Sequence, residues 1–527
     1  MKFVTFLVFT ILVAIISYFK SKQKKEQTSD GYFLGGRSLT GWVIAGSLLL
    51  TNLSTEQIVG LNGAAFKEGI LVMAWETLAA IAMVVTAIVL LPKYLKEGIT
   101  TVPQFLETRY DKMTKTIASG LFLSGYVIVL LPIVLYTGAL ALNSMFDIPQ
   151  LLGVNKTVAL WITIWGIGLI GAMYAVLGGL KAVVISDTIN AVGLLIGGLL
   201  IPYFGLLLIG NDSIIDGVII LTEKAPEKFK VIGNERSSIP FGTIFTGMML
   251  VQLFYWGTNQ AIIQRALGAK NLKEGQKGLI YAAFIKILGP LIVVLPGIIA
   301  FYIFGNTLES PDEAYPELVK KVLPNELVGF FAAVLFGAIL SSFNSVLNSS
   351  VTLFGIDIYK SHIKTEASEI EVVKAGKKFG VLLAIIAMCV APLLLYAGGI
   401  FSYLQEANGI YSIPILTIVV VGYFTKYVPA KAAKIGIISG SLLYIISQFV
   451  LKPYVFGKEN YPHFLHVMAI LFVLNIIIML VIGKLQPRKN SFNLVYTKHV
   501  NITPWKYVTI AGLVISVIVV YSYIYFS

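Results

Sequence analysis

Thr51-Asn52-Leu53-Ser54-Thr55-Glu56-Gln57 is a polar run set inside the apolar segment 42–64, and it decides how the rest of the chain is read. Hydrocarbon offers no water to backbone N–H and C=O groups. A membrane helix can therefore break only where the freed groups face protein or a water-filled cavity. A second polar stretch, Gln252-Leu253-Phe254-Tyr255-Trp256-Gly257-Thr258-Asn259-Gln260, interrupts segment 240–267 in the same way. Paired interrupted helices, one opening each half of a many-span chain, point to a secondary transporter with its substrate and ion sites at the breaks.

Composition agrees. The 527 residues are 57 % hydrophobic and 13 % charged, with a mean hydropathy of +0.83. An ordinary soluble domain carries about 25 % charged residues. A polytopic membrane protein fits, as one membrane domain over 1–527, because a helix bundle grows sideways in the bilayer. At about 20 apolar residues per crossing, the chain holds about fourteen transmembrane helices. They fall at 3–19, 42–64, 71–91, 114–143, 157–177, 181–209, 240–267, 277–304, 326–360, 374–396, 398–424, 432–451, 463–483 and 507–526. The first reads as a retained anchor, since Lys20, Lys22, Lys24 and Lys25 follow it rather than a small-residue cleavage site. Segments 42–209 and 240–424 each begin with an interrupted span and hold five spans. An odd number inverts the second unit relative to the first, leaving 3–19 and 432–526 as peripheral helices.

The net charge of +13 is explained by topology rather than by nucleic acid. Of the 40 Lys and Arg residues, 28 fall on connections of one face, 11 on the other, and Lys286 within a span. Cytoplasmic loops are rich in Lys and Arg, so the expectation is a multi-pass cell-membrane protein, in contact with lipid, with both termini outside. The longest outward connections, 210–239 and 305–325, are candidate caps on the outer mouth. The lone Cys389 excludes an intrachain disulfide, and His362, His463, His466 and His499 lack metal-ligand spacing. No phosphate-cradling loop and no nucleophile–base pair stands out. The chain does not read as an enzyme, and an ion gradient is the expected energy source.

Several intramembrane side chains could carry chemistry. Glu76 lies within the third span, where a carboxylate is costly and faces the bundle interior. It is read either as a paired structural group or as an acceptor for sugar hydroxyls. Lys286 reads as the one cation inside a span and as an interior donor, with snorkelling the alternative. Glu56 and Gln57 follow the first break, and Gln405 interrupts the apolar run 398–424. An amide both donates and accepts, which suits the hydroxyl pairs of a neutral polyol. Tyr255 can lay its ring on a sugar's C–H face, or simply pack, and Gln252, Trp256 and Asn259 share its polar stretch. Ser341 and Ser342 are either small-residue helix packing or, with carbonyls freed at the first break, part of an oxygen shell for a monovalent cation. Asp187 reads equally as an ion-path carboxylate or as a hydrated helix end.

At these residues the chain resembles the sodium/solute symporter family, and most closely its sodium/glucose cotransporter branch. Phe33-Leu34-Gly35-Gly36-Arg37-Ser38-Leu39, Asn52 to Gln57, Tyr174 to Leu180, Tyr255 to Arg265 and Ser341 to Ser349 carry the likeness, from about Tyr32 to Pro453. It implies an all-α, LeuT-like core of two inverted five-helix repeats with discontinuous first helices and alternating access. By position it implies sugar contacts at Gln57, Glu76, Lys286 and Gln405, and an inner-gate aromatic at Tyr255. It implies sodium ligands at the carbonyls of Leu50 and Leu53 and at Ala338, Ser341 and Ser342, with Asp187 on the ion's exit path. Two positions depart from a bacterial sodium/galactose symporter of this branch: Ala79 stands for its serine and Gln252 for its asparagine. The expectation is thus a sodium-coupled importer of a small neutral sugar or polyol. The alternatives are the same fold moving sialic acid, myo-inositol, proline or pantothenate, or a transporter-derived sugar sensor. Which solute it takes, the sodium stoichiometry and the oligomeric state stay open at this stage.

Overall fold

The computed structural model describes residues 1–21, 29–396, 400–457 and 460–527. Among them the chain is helical almost throughout, and the only β contact is an isolated bridge between Leu39 and Ala269. The helices used below are α1 (Lys2–Ser21), α2 (Gly41–Asn52), α3 (Thr55–Glu68), α4 (Ala74–Val85), α5 (Lys156–Ile209), α6 (Met249–Gly257), α7 (Gln260–Leu267), α8 (Leu272–Ile287), α9 (Asn325–Thr352) and α10 (Ile400–Phe424).

By length and composition ten helices can cross a membrane, or eleven when α8 and Gly289–Phe304 count as one span bent by 52°. Three expected spans remain. The apolar run of α1 is described as Lys2–Val13, and the other two are the broken segments, α2 with α3 and α6 with α7. Helix α5 runs 54 residues, long enough for two crossings. Near its start Lys156 pairs with Glu309, and near its end Gly205 packs on Ile299. By length and composition the helix holds two candidate crossings, Lys156–Tyr174 and Ser186–Ile209, close to the expected pair.

Burial separates core from periphery. In Asn325–Ile363 and α10, 72 % of the apolar window is covered by protein, against 28 % in Phe464–Leu485 and 22 % in Val508–Tyr525. The last helix buries one stripe (Val508, Gly512, Ile515, Val519) and exposes residues such as Leu513 and Val517. Helix starts outside the apolar layer are capped by side chains. Asp111, Asn155 and Asn271 each accept from a backbone N–H of the first turn, and Ser368 forms a capping box with Glu371.

Both breaks are sharper than the polar stretches that signal them. α2 ends at Asn52, Leu53 and Ser54 leave the helix, and α3 restarts at Thr55. In the second segment Gln252 to Gly257 stay helical, and the interruption is only Thr258 and Asn259. Asn259 caps α7 through Oδ1, which accepts from the Ala261 N–H at 3.0 Å. Gln405 does not interrupt its helix, since α10 continues through it.

The connections expected to cap the mouth clamp α3. Lys228 Nζ donates to the carbonyls of Phe66 and Lys67 at 3.0 and 2.7 Å, satisfying the helix's last orphan acceptors. The chain then turns at Gly69, whose φ of 77° avoids a Cβ that would run into the Lys228 backbone. On the other connection, Pro311 and Asp312 approach so closely that a Cβ at Gly63 would lie 2.8 Å from the Pro311 carbonyl oxygen.

Candidate functional site

The two breaks face each other. Asn52, at the end of α2, donates through Nδ2 to Tyr255 Oη of α6 at 3.3 Å. Beside this contact lies a cavity of about 40 Å³, room for about three water molecules. Its polar wall is Asn52, Glu56, Gln57, Gln252, Tyr255, Asn259, Gln405 and Asn408; Trp75, Ala79, Leu130, Val251, Leu404 and Tyr411 complete it. Five expected substrate residues, Gln57, Gln252, Tyr255, Asn259 and Gln405, thus meet around one space. Asn408 and Tyr411 were not singled out from the sequence, although they follow Gln405 by three and six residues on one helix.

Glu76, Lys286 and Trp256 stand behind that wall rather than in it. The Glu76 carboxylate accepts from Gln57 Nε2 at 2.6 Å and from Lys286 Nζ at 2.5 Å, with both charged side chains no more than 1 % exposed. Lys286 is the penultimate residue of α8, just before the bend. Pro290 there has no N–H to continue the ladder. The carboxylate occupies the space beside Gly289, where a Cβ would collide with it. Trp256 is fully buried, its ring centroid 5.9 Å from Lys286 Nζ. Behind the wall the two charges cancel, and Gln57 is the member of the group that reaches the cavity.

The expected sodium residues gather where α2 and α9 meet. Leu50, Leu53, Ala338, Ser341 and Ser342 are all buried. Ser342 Oγ donates to the Thr51 carbonyl at 3.1 Å, and Thr51 Oγ1 lies 3.3 Å from Ser345 Oγ. Ser341 Oγ is buried with no hydrogen-bond partner among the described residues. A buried hydroxyl at a helix-end carbonyl, with a second serine preceding it, suits a hard monovalent cation, which takes oxygen ligands.

Asp187 is not a hydrated helix end: it is fully buried, and its Oδ2 accepts from Ser47 Oγ at 2.7 Å. Arg265 Nε donates to the same Ser47 Oγ at 3.2 Å. The Arg265 guanidinium also bonds the Ala261 carbonyl and Ser345 Oγ. Lys286 is therefore not the only cation within the bundle. Arg265 falls at the edge of segment 240–267 and reads as a loop charge, but α7 packs against α2 and α9 and leaves it no exposed surface.

A helical membrane protein with a polar cavity between two broken helices, and with buried oxygen donors beside the first break, belongs to the class of ion-coupled secondary transporters. Residues 32–440 match the model of the sodium:solute symporter family, and the chain belongs to that family. It is 45 % identical over 525 residues to the uncharacterized symporter YidK of Escherichia coli (strain K12), covering 99 % of this chain and 90 % of that one. It is 35 % identical over 466 residues to the sodium/glucose cotransporter of Vibrio parahaemolyticus, covering 83 % and 84 % of the two chains. In three dimensions it matches a substrate-bound, outward-open Na+-coupled sialic acid symporter with a TM-score of 0.79, over 94 % of this chain and 99 % of that one. At 20 % identity that likeness defines the fold, which is LeuT-like. The chain is a symporter and not an enzyme, and sodium is its coupled ion.

Proposed function

We propose that this protein imports a neutral monosaccharide or related polyol across the cell membrane by alternating access, driven by sodium entry. The observation that carries this reading is the chemistry of the cavity wall. Gln57, Gln252, Asn259, Gln405 and Asn408 offer amides to it, Tyr255 a phenol, and the Glu76–Lys286 charges behind Gln57 cancel. Amides and a phenol match hydroxyl groups, which donate and accept alike. An anionic solute would want net positive charge, which this wall lacks. The likeness to a sodium/glucose cotransporter supports the same solute class. Sodium would sit at the Leu50 and Leu53 carbonyls with Ala338, Ser341 and Ser342, and Asp187 would lie on its exit path. A sugar is larger than the 40 Å³ cavity, so loading requires the walls to part and release requires Tyr255 to withdraw. The face richer in Lys and Arg would be cytoplasmic, placing both termini outside.

Uptake into proteoliposomes of labelled sugars, polyols, sialic acid and proline, with and without an inward sodium gradient, tests the proposal. Sodium-dependent accumulation of a neutral sugar or polyol is the expected result. Accumulation of proline or sialic acid alone would overturn the solute class, and sugar binding without any transport would make the protein a sensor.

A further inference from the structure

We propose a second monovalent-cation site, with Glu56 as its charged ligand, in a small cell between the substrate cavity and Ser342. This rests on the sodium-coupled reading but not on which solute is carried. The cell has a volume of about 10 Å³, space for a single water or bare ion. Its polar wall is Thr51, Glu56, Tyr255, Asn259 and Ser342. Glu56 also lines the larger cavity, so it stands between the two spaces.

Glu56 lacks the neighbouring cation that the other buried carboxylates around the breaks have. Glu76 is bonded to Lys286, and Asp187 shares the Ser47 hydroxyl with Arg265. Glu56 is 6 % exposed, and among the described residues its Oε2 has no hydrogen-bond partner and it joins no ion pair. A buried carboxylate with one oxygen unbonded and no cation beside it is disfavoured as the ion, and a bound cation would supply the missing counter-charge. The second residue of α3 is a place where a helix N-terminus favours the ionised form. The remaining polar wall residues carry hydroxyls and one amide, whose oxygens are hard donors of the kind a sodium-like cation takes. The cell is too small for an ammonium group carried on a solute ring, which would have to enter from the larger cavity.

The test is equilibrium binding of radioactive sodium to the purified full-length protein in detergent, with no solute present. The variants are Glu56→Gln, Ser341→Ala (a residue of the first sodium site that does not line the cell) and the two combined. Two ions per wild-type chain, one in each single variant and none in the double is the expected result. One ion in the wild type, lost in Ser341→Ala and untouched by Glu56→Gln, overturns the second site and leaves the sodium-coupled reading standing. No saturable sodium binding in the wild type overturns both. If Glu56→Gln does not fold, Glu56→Asp decides. Two ions with the weaker one weakened about tenfold or more supports the site; unchanged affinities overturn it.

Discussion

Lys286→Met probes the buried pair behind the cavity. The substitution keeps the side chain's length and removes its charge, leaving Glu76 fully buried with only the Gln57 amide as donor. Stripping one partner from a buried ion pair costs about 3–5 kcal/mol, because the surviving charge is uncompensated. Glu76→Gln should be destabilising for the mirror-image reason, with Lys286 left unpaired. The double variant carries no charge in either place. Replacing both members of such a pair with neutral groups of similar volume is often close to neutral. The expected cycle is therefore strongly non-additive: the double variant should cost far less than the summed singles, with a coupling at or above the roughly 3 kcal/mol top of the range for contacting residues. Denaturation in detergent across the four proteins measures it, and sodium-driven sugar uptake is measured in parallel. Stability should return in the double variant while uptake does not, because Gln57 then faces the cavity without its charged anchor. Additivity within about 0.5 kcal/mol would refute the pair as a coupled unit. Full uptake in the double variant would refute any part for it in sugar binding.

Three further outcomes follow from the same geometry. Gly289→Ala would push its new methyl into the Glu76 carboxylate and should lower sugar affinity in a binding assay, whereas Gly120→Ala, which meets nothing within 4 Å, should leave it unchanged. Lys228→Met strips the cap from the Phe66 and Lys67 carbonyls. At about 1.5–3 kcal/mol for hydrogen bonds from a charged group, hydrogen exchange at the end of α3 should quicken about ten- to hundredfold. Asp312, in the outer connection, is pushed from an ordinary 3.8 up to about 6, chiefly by burial, against a backbone hydrogen bond from Ile400 and with the Glu313 charge adding to the rise. A carboxyl raised in the folded state favours folding at low pH. Docking of this connection on α3 should be firmest below about pH 4 and loosen as pH rises through 6, and Asp312→Asn should flatten that slope in pH-resolved hydrogen exchange.

Much of this was legible in the residues because the bilayer imposes simple rules. Each crossing needs its apolar run, and every expected span coincides with a helix or a broken pair of helices. Polar runs in mid-span betrayed both breaks, but the second was drawn too wide. Gln252 to Gly257 look unfit for lipid, yet they stay helical because their side chains face the cavity and the protein interior rather than lipid. The bend after Lys286 had a readable signal in Gly289-Pro290 that went unused. Asn408 and Tyr411 could have been found by carrying the helical spacing on from Gln405. Arg265 could not. Counting charges by loop treats a residue at a span's edge as hydrated, and only the packing of α7 into the bundle shows that it is sealed inside. The same blindness to packing left Asp187 balanced between an ion-path group and a wet helix end.

The first break also offers a short physical route for coupling ion to solute. Two consecutive residues at the end of α2 face opposite ways. The Thr51 carbonyl accepts from Ser342, a proposed sodium ligand, and the Asn52 amide donates to Tyr255 in the cavity wall. A cation that drew Ser342 Oγ into its shell would release the Thr51 carbonyl, and any settling of Thr51 must move Asn52, one peptide bond away. Tyr255 would feel the ion through its hydrogen bond to Asn52, and a sugar seated against Tyr255 would be felt at the ion in return. Reciprocity of binding free energies then requires sodium to tighten sugar binding by the same factor as sugar tightens sodium binding. Asn52→Leu cuts this link while leaving the serines and the other cavity amides in place. It should lower the factor in both directions equally, while each ligand alone still binds. Equal coupling factors in Asn52→Leu and the wild type would place the route elsewhere, with Glu56, which borders both spaces, as the next residue to test.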